Sequence, residues 1–66
     1  MALRSKVRQY RESKELRQDD LAREVAVSRQ TIIAWEKNGY TPSTELALRL
    51  ARALGATVEE LFSLED

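Results

Sequence analysis

Apolar side chains recur at three- and four-residue spacing along most of the chain, and only two glycines and one proline interrupt them. This spacing places apolar groups on one face of a helix. With 66 residues the chain has room for a single hydrophobic core. The sequence therefore predicts an all-α fold, a compact five-helix bundle that forms one domain over residues 1–66.

The apolar pattern and the capping residues set the predicted bounds of the first three helices. Leu3, Val7 and Tyr10 define the first helix, which is expected to fade around residues 13–15. The second covers residues 18–25, although Arg17 is a poor cap for its start. Ser28 is a good N-cap for a third helix over residues 29–37.

Helix signals in the second half are equally local. Thr41, Pro42 and Ser43 mark the start of a fourth helix that ends at Gly55. A capping box of Thr57 and Glu60 begins a fifth helix with Val58, Leu61 and Phe62. Residues 64–66 are expected to be frayed in a monomer.

Composition excludes several classes of protein. The chain contains no Cys and no His, so it lacks disulfides, the usual zinc ligands and the usual general base. We expect no enzyme activity, no metal and no cofactor. The first residues lack the apolar run of a signal peptide, which predicts a cytoplasmic protein without a membrane partner. We also expect no small-molecule ligand, because 66 residues leave little room for a separate ligand domain.

Charge is distributed unevenly although the formal net charge is zero. Residues 1–37 carry nine Lys and Arg against six Asp and Glu, and residues 38–66 carry two against five. An anionic partner is therefore expected to bind the first half of the chain.

The junction of the second and third helices carries the most specific pattern. Apolar residues stand where two short helices joined by a tight turn would pack together, as in a helix-turn-helix. These residues are Leu21, Ala22, Val25, Val27, Ile32 and Trp35. The phase that Trp35 shares with Ile32 predicts a core position for it rather than a stacking platform for single-stranded nucleic acid.

The opposite face of the third helix has the chemistry of major-groove readout. Helical rotation sends Gln30, Ile33, Ala34 and Lys37 to that face, with Arg29 on its flank. Gln and Arg bind adenine and guanine edges, and small apolar groups suit the thymine methyl. Solvated or locally packed side chains are the alternative interpretation of these positions.

The segment RQDDLAREVAVSRQTIIAWEKNGYTPS, followed by LALRLARALGATVEELF, resembles the lambda-repressor-like helix-turn-helix family of small transcriptional regulators. The resemblance covers nearly the whole chain. It implies a DNA-binding regulator, usually a homodimer on a two-fold operator, with the third helix in the major groove. It also implies that Arg11 and Glu36 form a structural pair.

Phosphate contacts are expected around the reading face. The resemblance assigns Gln18 and Asn38 to this role, and Arg17 replaces the family's usual cap with a charge that reaches a phosphate. The remaining expected contacts are Ser28 with the first amides of the third helix, neighbouring Thr31, and Tyr40. Glu15 and Ala26 stand where the family commonly has Gly, so a positive φ there would cost of order 1 kcal/mol.

The sequence thus predicts a transcriptional regulator that binds double-stranded DNA, most simply a repressor that occupies an operator. Phe62 and Leu64 have few partners left to cover them and are expected at a homodimer interface. Two alternatives remain open. One is an antitoxin or controller that binds DNA and also holds a protein partner; the other is a helical protein-interaction module that does not bind DNA.

Overall fold

The computed structural model describes residues 2–65, in which five helices and two short strands surround one core. The elements follow in the order β1 (Ala2–Ser5), α1 (Val7–Ser13), α2 (Gln18–Val25), α3 (Arg29–Glu36), α4 (Thr44–Leu54), α5 (Val58–Leu61) and β2 (Phe62–Glu65). The bundle of five helices is confirmed. The strictly all-α prediction is wrong, because β1 and β2 form an antiparallel sheet.

The sheet joins the two ends of the described chain. Leu3 lies opposite Leu64 and Ser5 opposite Phe62, and an ion pair of 2.6 Å links Arg4 Nε to Glu65 Oε2. Leu3 is thus in a strand rather than in the first helix, and Phe62 begins a strand rather than ending the fifth helix. Residues 64 and 65 are paired rather than frayed, and Asp66 lies outside the described residues.

The outer edge of β1 holds the loop that follows α3. The backbone N–H of Ser5 donates to Asn38 Oδ1 at 3.0 Å, and that of Gly39 donates to the Leu3 carbonyl at 2.9 Å. Ser5 Oγ donates to the Trp35 carbonyl at 2.6 Å. The strand therefore fixes where α3 ends, one residue earlier than predicted, with Lys37 in an extended conformation.

Helix starts follow the capping chemistry of the sequence. The hydroxyls of Ser28 and Ser43 accept from the backbone N–H groups of residues 31 and 46 at 3.2 Å each. Thr57 and Glu60 form the predicted capping box, with bonds of 3.1 and 2.8 Å. The N–H and hydroxyl of Thr57 lower the pKa of the Glu60 carboxyl. Pro42 precedes the Ser43 cap and is not a helical residue.

At α2 the capping hydrogen bond comes from the third helical residue rather than from the side chain of the N-cap residue, Arg17. The Asp20 carboxylate accepts from the backbone N–H of Arg17 at 2.9 Å, which is the half of a capping box that needs no hydroxyl at residue 17. This bond, and then the side chain of Arg23, lower the pKa of Asp20. The poor cap expected at Arg17 therefore does not leave the helix start without support.

The core is built from every helix. Val7, Leu21, Ile32, Leu50 and Leu61 are fully buried, one from each of α1 to α5. Trp35 is 6% exposed, which confirms its predicted core position. Other buried apolar side chains are Ala22, Val25, Ala47, Ala51 and Leu54.

A buried ion pair connects α1 to the end of α3. Arg11 Nε lies 2.6 Å from Glu36 Oε2, and the two side chains are only 10% and 7% exposed. Arg11 also donates through Nη1 to the Leu16 carbonyl at 2.8 Å. The structural pair that the resemblance implied is present, and it fixes the α1–α2 loop as well.

The turn between α2 and α3 depends on a left-handed residue that is not glycine. Ala26 has φ 64°, and Glu15 before α2 has φ 57°. At the turn, the N–H of Val27 donates to the Ala22 carbonyl at 2.9 Å, which closes the end of α2. Each L-residue in this conformation costs about 1 kcal/mol.

Replacing Ala26 by Gly is expected to raise the free energy of unfolding by about 0.5 kcal/mol or more, because the strain at positive φ exceeds the added freedom of the unfolded chain. Urea unfolding followed by circular dichroism measures the change. The matched control is Ala53→Gly inside α4, which is expected to lower the free energy of unfolding by about 1 kcal/mol. A loss of stability at both positions would contradict the strain at Ala26.

Glu36→Gln is expected to lower the free energy of unfolding by about 3 kcal/mol, because it leaves the Arg11 guanidinium buried without a countercharge. So large a loss brings a domain of this size close to unfolding without denaturant. Glu12→Gln is the control, because its partner Arg8 is exposed, and a change below about 0.5 kcal/mol is expected. Equal losses in the two variants would show that burial does not set the strength of the pair.

Candidate nucleic-acid interface

The third helix presents two faces of different chemistry. Ile32 and Trp35 point into the core, and the intervening positions face outward. Arg29 and Gln30 are exposed, as is Lys37 just beyond the helix, while Ile33 and Ala34 are partly exposed. The five residues expected to read bases therefore lie away from the core; we call them the reading face.

Ile33 is not among the apolar side chains that pack against the core. A branched apolar residue between Gln30 and Lys37, without a core to enter, makes the reading face partly apolar. This combination of hydrogen-bonding ends and methyl groups fits the edges of base pairs, which present donors, acceptors and the thymine methyl.

A polar cleft adjoins the reading face where the first turns of α2 and α3 meet α1. We call it the arginine cleft. It is lined by Arg8, Arg11, Arg17, Gln18, Asp19, Arg29 and Glu36. Four guanidinium groups in one cleft favour an anionic partner.

A chain of hydrogen bonds runs through the arginine cleft from its buried end to its mouth. Gln18 Nε2 donates to Glu36 Oε1 at 3.0 Å, and Gln18 Oε1 accepts from Arg29 Nε at 3.3 Å. Glu36 is itself held by Arg11. The exposed Arg29 side chain is thus connected through one amide to the buried ion pair.

The residues predicted to contact phosphate lie around these two surfaces. Arg17 and Tyr40 are exposed, and Ser28 and Thr31 share a hydrogen bond of 2.9 Å between their hydroxyls at the start of α3. Asn38 directs its side-chain oxygen to β1, so its amide nitrogen is the group able to donate outward. Both ends of the Gln18 side-chain amide are hydrogen-bonded within the protein. A phosphate contact by Gln18 would therefore use its backbone N–H in the first turn of α2.

Sequence reasoning did not assign Asp19 or Arg8 to the interface, and both line the arginine cleft. Asp19 Oδ1 lies 3.7 Å from Arg29 Nε, ten residues further along the chain. The signal was available in principle, because a helix-turn-helix brings the first turns of its two helices together.

An apolar groove lies between α4, α5 and the sheet, and its lining is almost free of polar surface. It is lined by Leu3, Thr41, Pro42, Thr44, Ala47, Leu48, Val58 and Phe62. Leu48 is 59% exposed. Leu64, which is 67% exposed, pairs with Leu3 in the sheet and extends the same apolar surface, since opposed residues share a face.

Residues 2–65 offer neither an acidic cluster for a metal ion nor a membrane-spanning helix. No set of three or more acidic side chains there is arranged to hold a metal ion. No helix in that range combines the length and the hydropathy needed to cross a membrane.

Comparison with known proteins places this geometry in a family. A family model described as helix-turn-helix matches residues 7–61. A protein of Methanocaldococcus jannaschii described as an uncharacterized HTH-type transcriptional regulator is 45% identical over 64 residues, which are 97% of each chain.

Two similar proteins have more specific descriptions. The transcriptional repressor of a cryptic CTXphi phage of Vibrio cholerae is 34% identical over 59 residues, 89% of this chain and 53% of that protein. An HTH-type transcriptional activator of Enterococcus faecalis is 33% identical over 66 residues, the whole of this chain and 32% of that protein. The buried Arg11–Glu36 pair, the α2–turn–α3 geometry and these matches agree, and the chain belongs to the lambda-repressor-like helix-turn-helix family.

Proposed function

We propose that this protein is a sequence-specific regulator of transcription that binds double-stranded DNA with α3 in the major groove. The observation that carries the proposal is the division of α3 into a buried face and the reading face. The family match supports it, because the proteins similar to this chain are described as transcriptional regulators. Such a protein acts in the cytoplasm, where bacterial and archaeal DNA lies.

Base recognition is assigned to the reading face. Arg29 and Gln30 supply the bidentate donors and acceptors, Lys37 supplies a further charge, and Ile33 and Ala34 supply apolar contacts to thymine methyl groups. Phosphate contacts from the surrounding set fix the orientation of α3 and carry most of the salt-dependent affinity. That set is Arg17, Gln18, Ser28, Thr31, Asn38 and Tyr40.

A homodimer on a two-fold operator is part of the proposal. One recognition helix reads too few base pairs for useful discrimination, whereas two helices about one helical turn apart double the site. The apolar groove, with Phe62 and the exposed Leu48 in its wall and the exposed Leu64 beside it, provides the surface that a second copy would bury. Bound in this way the dimer blocks polymerase, so we propose repression, although both a repressor and an activator are similar to the chain.

Selection of bound duplexes from a random pool at near-physiological salt tests the function. The wild-type protein is expected to enrich a two-fold symmetric motif. Gln30→Ala is expected to relax one position in each half-site at a cost of about 1 to 3 kcal/mol, because one bidentate contact is lost. The matched control is Gln9→Ala on the exposed side of α1, which is expected to select the wild-type motif. Retention of DNA without any enriched motif would contradict sequence-specific regulation and favour a protein-interaction module.

Leu64→Glu and Leu48→Glu are each expected to raise the dimer dissociation constant about tenfold or more, because a carboxylate would be buried at the interface. Analytical ultracentrifugation over a range of protein concentrations measures this change. Gln9→Glu adds the same charge on the exposed side of α1 and is expected to leave the dimer intact. A wild-type protein that stays monomeric at concentrations that saturate its operator would refute the dimer.

A further inference from the structure

Asp19 is placed beside the residue that begins the reading face. Its carboxylate Oδ1 lies 3.7 Å from Arg29 Nε, and both side chains are more than half exposed, at 63% and 62%. At this exposure the pair adds little to stability. Its position in the arginine cleft, rather than its strength, is the feature that needs an explanation.

The orientation of Arg29 is set from inside the protein. Glu36 accepts from Gln18 Nε2, which turns the amide so that its Oε1 points to Arg29 Nε. Asp19 approaches the same Nε. Gln18 Oε1 accepts the single Nε–H, and the Asp19 carboxylate lies beside the same nitrogen as a countercharge. Both terminal nitrogens of the guanidinium therefore point to a ligand, and they are the pair that a guanine edge or a phosphate engages.

The charges in the arginine cleft determine whether Arg29 binds a guanine edge or a phosphate. Glu36 already neutralises Arg11 and Glu12 lies 3.3 Å from Arg8, which leaves Arg17 and Arg29 as the other positive charges of the lining. Without Asp19 these charges would attract the DNA backbone and draw Arg29 toward it. Asp19 repels a phosphate from this place and keeps an attraction for the guanidinium.

We propose that Asp19 is a specificity-determining residue: it holds Arg29 in a base-reading orientation and keeps phosphate away from the Arg29 guanidinium. The proposal rests on the DNA-binding function proposed above and concerns how Arg29 divides its contacts. Asp19 touches no base in this account, and it acts through Arg29.

Asp19→Asn tests the proposal, because it keeps the size of the side chain and removes its charge. Affinity for a duplex of scrambled sequence is expected to rise about three- to fivefold, while affinity for the operator selected by the wild type rises less. The ratio of the two affinities therefore falls, and the loss of discrimination is confined to the base position that Arg29→Ala also relaxes. For scrambled DNA, the slope of the logarithm of the binding constant against the logarithm of the salt concentration is expected to steepen by up to about 0.9, the value for one added phosphate contact.

Two further variants separate this role from net charge and from folding. Asp19→Glu keeps the carboxylate and is expected to retain most of the wild-type affinity ratio. Glu24→Gln removes one charge from the same helix at an exposed position near Ala26 and Arg49, outside the arginine cleft. It is expected to raise both affinities alike. Circular dichroism spectra of all three variants are expected to match the wild type, because both sites are exposed.

The ratio of operator affinity to scrambled-DNA affinity tests the proposed role of Asp19. An unchanged affinity ratio in Asp19→Asn, or equal effects of Asp19→Asn and Glu24→Gln, would overturn the proposed role while leaving the DNA-binding function intact. A fall in discrimination at positions that Arg29→Ala does not affect would also overturn it. A wild-type protein that selects no motif would overturn the proposed function and this inference together.

Discussion

The buried pair of Arg11 and Glu36 is the interaction on which the arrangement of the helices depends. Two charges removed from water are stable only when their hydrogen-bonding groups are engaged. Arg11 meets that condition by donating to both carboxylate oxygens of Glu36 and to the carbonyl of Leu16. The positions of α1, of the α1–α2 loop and of the end of α3 are therefore coupled, and Gln18 extends this coupling to the start of α2.

The consequence for the proposed function is that α3, the helix proposed to read DNA, is held at both ends. Its first turn is connected to the pair through Gln18 and Arg29, and its last residues are connected to β1 through Ser5. A helix of eight residues is marginal by itself in water, so its geometry comes from these contacts and from the burial of Ile32 and Trp35. The strain at Ala26 belongs to the same arrangement, because its left-handed conformation forms the turn that sets the angle between α2 and α3.

Local signals were enough to predict most of the helical framework. The bounds of α2, the caps at Ser28, Ser43 and Thr57, and the C-terminal Gly55 all depend on residues within four positions of one another. The sheet was missed because Leu3 and Val7 share a helical spacing, and nothing local to β1 shows that residues 62–65 will lie beside it.

The candidate site divides in the same way. Helical phase alone predicted which residues of α3 face outward, and the resemblance supplied the Arg11–Glu36 pair. The contact of Asp19 with Arg29 required the relative placement of two helices, which depends on side-chain packing rather than on spacing. The alternation of apolar residues gave no indication of the groove beside α4, because its walls come from three parts of the chain.

DNA is expected to bind the outer face of α3, with the arginine cleft supporting Arg29. The decisive measurement is a titration of the isotopically labelled protein with operator duplex, followed by amide chemical shifts. The largest changes are expected at residues 17–19 and 28–34, with the Arg29 Nε–H among them, and the Trp35 indole N–H is expected to change little. Changes centred on the apolar groove, with α3 unaffected, would show that DNA does not bind there.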